Sequence, residues 1–442
     1  MRVELSGFGG WPRHRTELVP APPPARIPAA LVPGTVARGN GRAYGDAAIG
    51  TVRTLWTGPL DFVEAFDAQS GRITVRAGLL LSDLIAAFLP RGFFPPVVPG
   101  TRQVSLGGMV AADVHGKNHH RAGSFGDHVE ELELALPEGT LLRCSPTRNP
   151  EWFSATVGGM GLTGVIVRIT LRLMRVETGW LSVRAAATPD LAATMQALVA
   201  AERAFEYAVA WLDGSARGPR RGAGIVLAGD HLPLAELPGD LRAVPFPPAR
   251  GGRITMPPLP VPPVNRLSLS VLNRLYRTVQ LRRLERVEDW DRWFFPLDAL
   301  SGWNRAYGPG GFVQYQFAVP EGPARGVLGA VLERIARRGL RSSLAVLKRF
   351  GREGRGLLSF PLRGWTLALD FPRTRDLPAL LAELDRIVLE AGGRIYLAKD
   401  ARLPAATFAR MEEGRLGRFL DFRERHGLAR VFRSHLSDRL GL

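Results

Sequence analysis

The sequence predicts an α+β protein with more than one domain, and two observations support this. A chain of 442 residues is longer than most single domains. Its pattern also changes near residue 175, from a glycine-rich region with short strands to a region of longer helices and strands. A hydrophobic content of 45% is sufficient for a sizeable core in each region. We therefore expect one domain over residues 1–175 and a second over residues 176–394.

Short elements are predicted along the first region. Alternation of apolar and polar residues predicts strands over 72–77, 131–136 and 164–173. A helix is expected over 82–89, with Ser82 as its N-cap, because serine accepts a hydrogen bond from N–H groups of the first turn. Near the end of the chain, residues 408–425 have a helical pattern.

Three glycine-rich loops stand next to strand-like sequence in the first region. They read R-G-N-G-R-A-Y-G-D at 38–46, P-G-T-R-Q-V-S-L-G-G at the start of 99–128, and T-V-G-G-M-G-L-T-G at 156–164. Glycine lets a backbone adopt positive φ and approach a ligand closely, and successive N–H groups in such loops bind anions. Together the loops predict one large ligand that carries phosphate. Neither the G-x-G-x-x-G spacing of a dinucleotide fold nor a P-loop is present.

These loops resemble the FAD-binding half of the vanillyl-alcohol-oxidase type of flavoprotein, the PCMH-type superfamily. Within it, the chain is similar to the family of the decaprenylphosphoryl-ribose oxidases. The resemblance continues through H-G-K-N-H-H-R-A-G-S-F-G-D-H at 115–128, W-N-R-A-Y-G-P-G-G-F-V-Q-Y-Q-F at 303–317, L-K-R-F-G at 347–351, L-S-F-P-L-R-G-W at 358–365 and Y-L-A-K-D-A-R at 396–402. It implies a two-domain α+β fold. Residues 176–394 would form a substrate domain with an antiparallel sheet, and 395–442 would return to the FAD domain.

The resemblance implies an FAD-dependent oxidoreductase that acts on CH–OH groups. The expected reaction oxidises the 2′-hydroxyl of a polyprenylphosphoryl-β-D-ribose to a ketone by hydride transfer to flavin N5. This is the first half of an epimerisation that makes an arabinose donor for cell-wall arabinan. Because the chain has no nicotinamide fingerprint, a separate NAD(P)H-dependent short-chain reductase is the expected partner. Two alternatives stay open: an FAD-linked oxidase of another sugar, aldonolactone or alcohol, and a basic membrane- or nucleic-acid-associated binding protein without flavin.

The resemblance also assigns residues to the cofactor and the reaction. Those expected at the cofactor are Arg38, Gly39, Asn40, Gly41, Arg42, Ala43, Tyr44, Gly45, Pro99, Gly100, Thr101, Val104, Gly107, Gly108, Ala112, His115, Gly116, Asn118, His119, Gly123, Ser124, Gly159, Gly161, Gly164, Ile166, Tyr396 and Lys399. Lys399 is expected to meet both flavin and substrate. Tyr44 or His115 would assist proton removal, and the choice of base between them stays open.

Substrate contacts are expected from the second region. They are Gln314, Gln316, Lys348, Phe350, Thr366 and Ala368. Many members of the superfamily attach FAD through a histidine in the first glycine loop, where this chain has Arg42, so we expect noncovalent FAD. Mycobacterial ribose oxidases carry a cysteine at the position of Ala368, so inhibitors that capture this thiol should fail here.

The net charge of +17 is carried mostly by arginine. Three explanations of this charge are open: codon usage that favours arginine, attraction to anionic lipid or a lipid-phosphate substrate, and nucleic-acid binding. The last is disfavoured, because no nucleic-acid-binding motif is present. The histidines at 115, 119, 120 and 128 lack the cysteine or H-E-x-x-H pattern of a zinc site, so no metal is expected.

Residues 264–295 have a helical pattern in which arginines surround an apolar stripe and aromatic residues close the segment. The stripe is formed by Leu272, Leu275, Val279 and Leu284. Such a helix lies in a membrane interface or is an ordinary surface helix with a basic face, and the sequence leaves both open. The preceding segment, 245–263, is rich in proline and glycine and is expected to be mobile. A mobile loop beside a basic helix would suit a gate for a polyprenyl chain.

The expected location follows from what the sequence lacks. The single cysteine, Cys144, forms no intramolecular disulfide and favours a reducing compartment. The first residues have no apolar core of a signal peptide, and no apolar run reaches the length of a membrane span. We expect a cytoplasmic or peripheral membrane protein, with the periplasmic face left open.

Overall fold

The chain begins with a four-stranded mixed sheet followed by a five-stranded antiparallel sheet. In this computed structural model the described residues are 1–214, 216–250, 254–257, 262–263 and 266–442. The first sheet has the spatial order Arg2–Ser6, Arg13–Pro20, Arg53–Trp56, Thr35–Arg38. The second has the order Val63–Asp67, Arg72–Arg76, Val165–Arg172, Val129–Ala135, Leu141–Cys144. The strands predicted at 72–77, 131–136 and 164–173 all lie in this second sheet.

Short helices connect these strands and cover their faces. They are Ile27–Ala30, Leu81–Phe88, Leu106–Ala111, His119–Ala122 and Pro150–Thr156, with 3₁₀ turns at Pro24–Arg26, Leu89–Arg91 and Phe125–His128. The prediction that Ser82 is an N-cap is wrong. The helix begins at Leu81, with Leu80 as a cap that has no side-chain hydrogen bond. Burial of Leu81, Leu84 and Ile85 fixes the position of this helix, so core packing outweighs the local capping signal.

The second region is built on one large antiparallel sheet, with eight strands in the described part of the chain. Their spatial order is Glu285–Asp289, Trp180–Thr188, Gly224–His231, Tyr207–Leu212, Ala345–Phe350, Gly364–Pro372, Phe312–Pro320, Arg394–Ile395. The α+β class and the antiparallel sheet are therefore confirmed. Two small pairs lie outside it: Phe93–Phe94 with Met174–Arg175, and Ile254–Thr255 with Leu300–Ser301.

One face of the large sheet is covered by helices and the other faces the first region. The covering helices are Leu191–Ala204, Ala324–Arg337 and Leu377–Glu390. Shorter elements of this region are Gly239–Arg242 and the 3₁₀ turns Gly218–Arg220, Leu234–Glu236, Pro296–Ala299 and Trp303–Tyr307. In strand Phe312–Pro320 the odd-numbered apolar residues Val313, Tyr315 and Phe317 pack under the helices. Because side chains alternate along a strand, Gln314 and Gln316 point to the opposite face.

The single helix predicted over 264–295 is wrong in its second half. The helix is Arg266–Leu281, residues Glu285–Asp289 form an edge strand paired with Trp180–Thr188, and a second helix covers Trp290–Phe294. The closing aromatic residues are buried in the core, each at most 2% exposed; they are Trp290, Trp293, Phe294 and Phe295. These residues stabilise the junction with Phe94 and Tyr207, so they are not part of an exposed surface.

The end of the chain packs back onto the first sheet. A bridge joins Thr35 to Phe432 and another joins Gly50 to Ser434. The helix predicted over 408–425 is two helices, Ala405–Met411 and Arg415–Arg425: Glu412 is the C-cap of the first, and Gly414, with φ +77°, is the N-cap of the second. The 3₁₀ turn Leu428–Arg430 and the helix His435–Leu440 follow.

The structure describes only part of the segment 245–263, which the sequence predicts to be mobile. Residues 251–253 and 258–261 lie outside the described residues, so the mobility expected for 245–263 stays a prediction. Among the helices of the described ranges, none is both long and apolar enough to cross a bilayer.

Candidate active site

A cavity of about 480 Å³ lies between the glycine-rich loops and the large sheet. Its size is typical of a ligand site. Nineteen of the residues expected at the cofactor line this cavity: Gly39, Asn40, Gly41, Arg42, Ala43, Tyr44, Pro99, Gly100, Thr101, Val104, Gly107, Gly108, Ala112, His115, Gly161, Gly164, Ile166, Tyr396 and Lys399. The structure thus brings all three loops and the 396–402 segment to one place.

The other expected cofactor residues lie behind the cavity wall and hold the loops. They are Arg38, Gly45, Gly116, Asn118, His119, Gly123, Ser124 and Gly159. Arg38 donates to the Ser6 carbonyl at 2.9 Å, and Asn118 donates to the Pro96 carbonyl at 2.9 Å. His119 is hydrogen-bonded to the Ser124 hydroxyl at 3.1 Å. These contacts indicate supporting roles.

The first glycine loop has the chemistry of an anion-binding site. Residues 39–43 line the cavity, yet within the described residues their backbone N–H groups donate no hydrogen bond to the protein. Backbone N–H groups that lack a protein acceptor require water or a ligand, and several in succession suit phosphate. The loop is also close-packed, because a Cβ on Gly39 would lie 1.9 Å from the Ser105 hydroxyl oxygen. The donor set therefore fits a pyrophosphate-bearing cofactor such as FAD.

Alternate residues of three neighbouring strands form the opposite wall. Gln314, Gln316, Val346, Lys348 and Ala368 line the cavity. In the sheet register Ala368 lies beside both Gln316 and Val346, so these side chains share one face. The other two expected substrate residues, Phe350 and Thr366, do not line the cavity. Phe350 packs on the rings of His115 and His119, and Thr366 lies 3.2 Å from the Gln316 amide nitrogen.

His115 is fixed between Lys348 and Gln316. The Lys348 ammonium lies 2.8 Å from His115 Nδ1, and the Gln316 amide nitrogen lies 3.0 Å from Nε2. When Lys348 donates to Nδ1, the ring proton is on Nε2, and a flip of the Gln316 amide presents its oxygen to that proton. Burial, with the nearby Lys348 charge, lowers the pKa of His115 well below its usual range. Both ring nitrogens are therefore engaged, and the ring is uncharged near neutral pH.

Lys348 is itself held in an unfavourable electrostatic environment. Burial lowers its pKa to about 7, and the charges of Lys117 and Lys399 act in the same direction. Lys117 is also buried; it donates to the Trp293 carbonyl, and burial lowers its pKa to about 7. Repelling cations at a polar cavity are the arrangement expected where an anionic ligand binds.

Lys399, Tyr44 and Asp370 form a second cluster. The Lys399 ammonium lies 3.6 Å from the centroid of the Tyr44 ring, and Asp370 accepts a hydrogen bond from the Gln314 amide at 2.5 Å. Burial lowers the pKa of Lys399, while the Asp370 carboxylate acts against this effect. Burial raises the pKa of Tyr44 well above its usual range, so this residue stays a neutral phenol.

Asp370 is the functional candidate that sequence reasoning missed. It is 1% exposed, lies directly opposite Gln314 in the sheet, and has one carboxylate oxygen without a hydrogen-bond partner. The sequence does contain an indication of its role, because an aspartate stands inside the apolar run L-A-L-D-F at 367–371. A carboxylate buried in such a run requires a hydrogen-bond or charge partner. Gln314 supplies a hydrogen bond, and the charge of Lys399, which comes from another segment, lowers the pKa of Asp370 against the effect of burial.

The cavity also has a rim that the sequence did not indicate. Asp298 accepts hydrogen bonds from the Thr101 hydroxyl at 2.7 Å and the Arg102 N–H at 2.8 Å. Arg102 forms a buried ion pair with Asp291. These contacts fix residues 297–303 of the second region against the second glycine loop, where Leu297, Asp298 and Trp303 line the cavity. No group of three or more potential metal ligands occurs in the part of the chain that the structure describes.

Comparison with known proteins supplies the family. Residues 33–145 match a family model described as an FAD binding domain. Decaprenylphosphoryl-beta-D-ribose oxidase of Mycolicibacterium smegmatis is 36% identical over 417 residues, 92% of this chain and 89% of that protein. The chain belongs to the decaprenylphosphoryl-β-D-ribose oxidase family. As a member, it is an FAD-dependent oxidoreductase, which confirms the cofactor and the enzyme class inferred from the loops.

Two further relatives show how far the similarity extends. An uncharacterised protein of Streptomyces coelicolor is 39% identical over 375 residues, 82% of this chain and all of that protein. L-gulonolactone oxidase of Bos taurus is 30% identical over 136 residues, 30% of each chain. Similarity to this lactone oxidase is therefore partial, whereas similarity to the ribose oxidase extends through both regions.

Proposed function

We propose that this protein oxidises the 2′-hydroxyl of a polyprenylphosphoryl-β-D-ribose to the 2′-ketone, with noncovalently bound FAD as the oxidant. The main support is the sheet wall, where two amides and a lysine of strands Phe312–Pro320 and Ala345–Phe350 point into the cavity. Amide and ammonium groups bind the hydroxyls and phosphate of a sugar phosphate. The 36% identity to the mycobacterial ribose oxidase, over an alignment that covers 92% of the chain, supports the same assignment.

The residues that line the cavity would have different roles in the reaction. The glycine loops would hold FAD, which would supply an acceptor for the hydride of the carbinol carbon. Gln314 and Gln316 would orient the ribose, and the Lys348 ammonium would contact a sugar hydroxyl or the phosphate. Val346 and Ala368 leave space beside them, and the absence of a thiol at Ala368 removes the target of thiol-capturing inhibitors.

Lys399 is the proton acceptor that we assign. Tyr44 is a neutral phenol and has no acceptor charge, and both His115 nitrogens are engaged by Lys348 and Gln316. Lys399 lines the cavity, and its lowered pKa makes the neutral amine accessible. A general base needs a pKa near the working pH. Tyr44 would then position the amine through its ring, and His115 would position Lys348.

A separate NAD(P)H-dependent short-chain reductase would return the ketone to the epimeric alcohol. The loops that line the cavity fit FAD, and the sequence lacks the nicotinamide spacing. The product would then be an arabinose donor for a cell-wall polysaccharide.

The experiment has two stages on the purified full chain. The visible spectrum is recorded before and after acid precipitation, and yellow colour in the supernatant is expected for noncovalent FAD. Polyprenylphosphoryl ribose is then supplied with a quinone or dye acceptor, and mass spectrometry follows the loss of two hydrogens. Lys399→Ala should keep FAD and lose turnover by at least about 100-fold.

Each contrary result would contradict a different part of the proposal. A colourless protein that does not bind added FAD would contradict the assignment as an oxidase and favour a binding protein without flavin. Faster oxidation of an aldonolactone or a free sugar contradicts the lipid-linked substrate and favours the other oxidase. Near-normal turnover of Lys399→Ala contradicts only the assignment of the base.

We also propose that this protein attaches peripherally to an anionic membrane through helix Arg266–Leu281. Val271, Leu275 and Val279 follow each other at intervals of four residues and are 61%, 56% and 42% exposed. Residues four apart lie on one helix face, so these side chains form an exposed apolar stripe. The exposed arginines Arg274, Arg282 and Arg283 complement anionic lipid headgroups.

Vesicle sedimentation tests this attachment. We expect binding to vesicles that contain phosphatidylglycerol, weaker binding to phosphatidylcholine alone, and loss of binding in the triple variant Val271→Ser, Leu275→Ser, Val279→Ser. Leu234→Ser, which changes an exposed apolar residue elsewhere, is the control. Equal sedimentation of wild type and triple variant means that the helix is an ordinary surface helix.

A further inference from the structure

The two loops that carry Tyr44 and Lys399 are joined at the cavity. The Tyr44 N–H donates to the Ala398 carbonyl at 2.9 Å. The backbones are so close that a Cβ on Gly45 would lie 2.0 Å from the Asp400 carbonyl oxygen. The position of the Lys399 ammonium over the Tyr44 ring therefore depends on how two segments far apart in sequence are held together.

Each loop also carries a buried carboxylate within two residues of its candidate residue. Asp46 is 2% exposed and Asp400 is 4% exposed. Buried carboxylates in one region repel each other unless a cation lies between them. The Arg439 guanidinium lies between them. Its Nε and Nη2 donate to the two Asp46 oxygens at 3.1 and 2.8 Å, and its Nη1 donates to Asp400 at 2.9 Å.

The guanidinium is held in this place by its own helix. Arg439 is part of helix His435–Leu440, which begins with a capping box at Ser434 and is joined to the first loop by the His435 N–H to Ile49 carbonyl bond of 3.0 Å. Burial lowers the pKa of Arg439, but Asp400 and Asp46 outweigh it and raise the pKa overall. The cation is thus permanently charged where both carboxylates need it.

We infer that Arg439 is a positioning residue that clamps the Tyr44 loop to the Lys399 loop and so sets the geometry of the proton acceptor. The inference rests on the proposed function, in which Tyr44 and Lys399 act on the substrate. Arginine is required because its planar fork bonds both oxygens of Asp46 and still reaches Asp400, which a lysine ammonium cannot do. A displacement of about 1 Å at a reacting group costs about 100-fold in rate.

The test compares two Arg→Lys variants of the FAD-loaded full chain. Arg439→Lys keeps the charge and breaks the fork. Arg433→Lys makes the same change in a surface pair with Asp438, where the arginine side chain is 49% exposed. Three quantities are measured: the visible spectrum of bound FAD, kcat and KM for ribose-lipid oxidation, and thermal stability.

For Arg439→Lys we expect a shifted FAD spectrum and a fall in kcat of about 10- to 100-fold with KM within about threefold. Arg433→Lys should match the wild type in all three quantities. If Arg439→Lys yields little folded protein, Asp400→Asn removes one arm of the clamp and should shift the spectrum and lower kcat in the same way.

The inference is overturned if Arg439→Lys, or Asp400→Asn in its place, is folded and keeps both the spectrum and kcat of the wild type. It is also overturned if kcat falls only in proportion to the folded, FAD-loaded fraction. Where the wild type does not oxidise the ribose lipid, the proposed substrate is wrong, and the FAD spectrum alone decides whether the clamp exists.

Discussion

The two walls of the cavity are built in different ways. The loop wall uses backbone: glycines, free N–H groups and close contacts such as that of Gly39 with Ser105. The sheet wall uses side chains: Gln314, Gln316 and Lys348 point from neighbouring strands toward the loops. At Gly39 and Gly45 the loop wall leaves no room for an added Cβ, whereas the sheet wall carries the polar groups of Gln314, Gln316 and Lys348 on alternating positions. Under the proposed function, the rigid backbone would hold the cofactor and the side chains on the strands would contact the substrate.

Gly45→Ala should break the loop wall and have the largest effect. The new Cβ would lie 2.0 Å from the Asp400 carbonyl oxygen, which belongs to backbone and cannot rotate away. We expect destabilisation of at least about 3 kcal/mol and little FAD-loaded protein, measured by thermal unfolding and flavin absorbance. Gly326→Ala is the control, because its Cβ meets nothing within 4 Å on a helix. Equal melting temperatures of both variants would contradict the close packing.

Lys348→Met should alter the sheet wall and leave the loop wall intact. A charge-assisted hydrogen bond contributes about 1.5–3 kcal/mol, so we expect kcat/KM to fall about 10- to 100-fold with FAD still bound. Stability should not fall, because a buried cation with a lowered pKa is removed. Steady-state kinetics and flavin absorbance measure both effects.

The control for that variant is Arg363→Met, which removes a positive charge from a side chain that is 75% exposed and does not line the cavity. It should keep kcat/KM within about threefold of the wild type, since it makes no contact with the substrate. Loss of FAD from Lys348→Met, or an equal loss of activity in both variants, would contradict the hypothesis that the loop wall holds the cofactor and the sheet wall contacts the substrate.

The smallest expected effect is a pH dependence of stability caused by His231, which lies in the core outside both walls. His231 packs among Phe94, Tyr207 and Phe294, and burial lowers its pKa to about 4. An unfolded histidine titrates near pH 6.5, so between pH 6.5 and 4 the unfolded chain binds more protons and stability falls as the pH is lowered. His231 should contribute on the order of 2 kcal/mol to the loss between pH 7 and pH 5.

Urea unfolding of wild type and His231→Phe at pH 8, 7 and 5 measures this contribution. The difference between the two proteins should be constant from pH 8 to 7 and should shift in favour of the variant by pH 5. A difference that stays the same at all three values would show that His231 is not held neutral in the folded protein.

Much of the fold and the loop wall was predictable, because local chemistry decides them. Glycine spacing indicated the cofactor loops, and alternation placed the strands near residues 72, 131 and 164. The Ser82 cap and the single helix over 264–295 were wrong, because a core of Leu81 and Ile85, and of Trp290 and Phe294, decided those boundaries. Asp370 was missed, because Lys399, whose charge acts on it, comes from another segment.

The sequence by itself determined the class of fold, the glycine-rich loops that line the cavity and the residues that resemble a ribose oxidase, because each is written in contiguous motifs. Only the tertiary structure decided which residues meet. It separated Phe350 and Thr366 from the cavity, brought Asp370 within electrostatic influence of Lys399, and placed Arg439 between Asp46 and Asp400. Interactions of buried charges depend on distances of a few ångströms, and distance between remote segments is a property of packing.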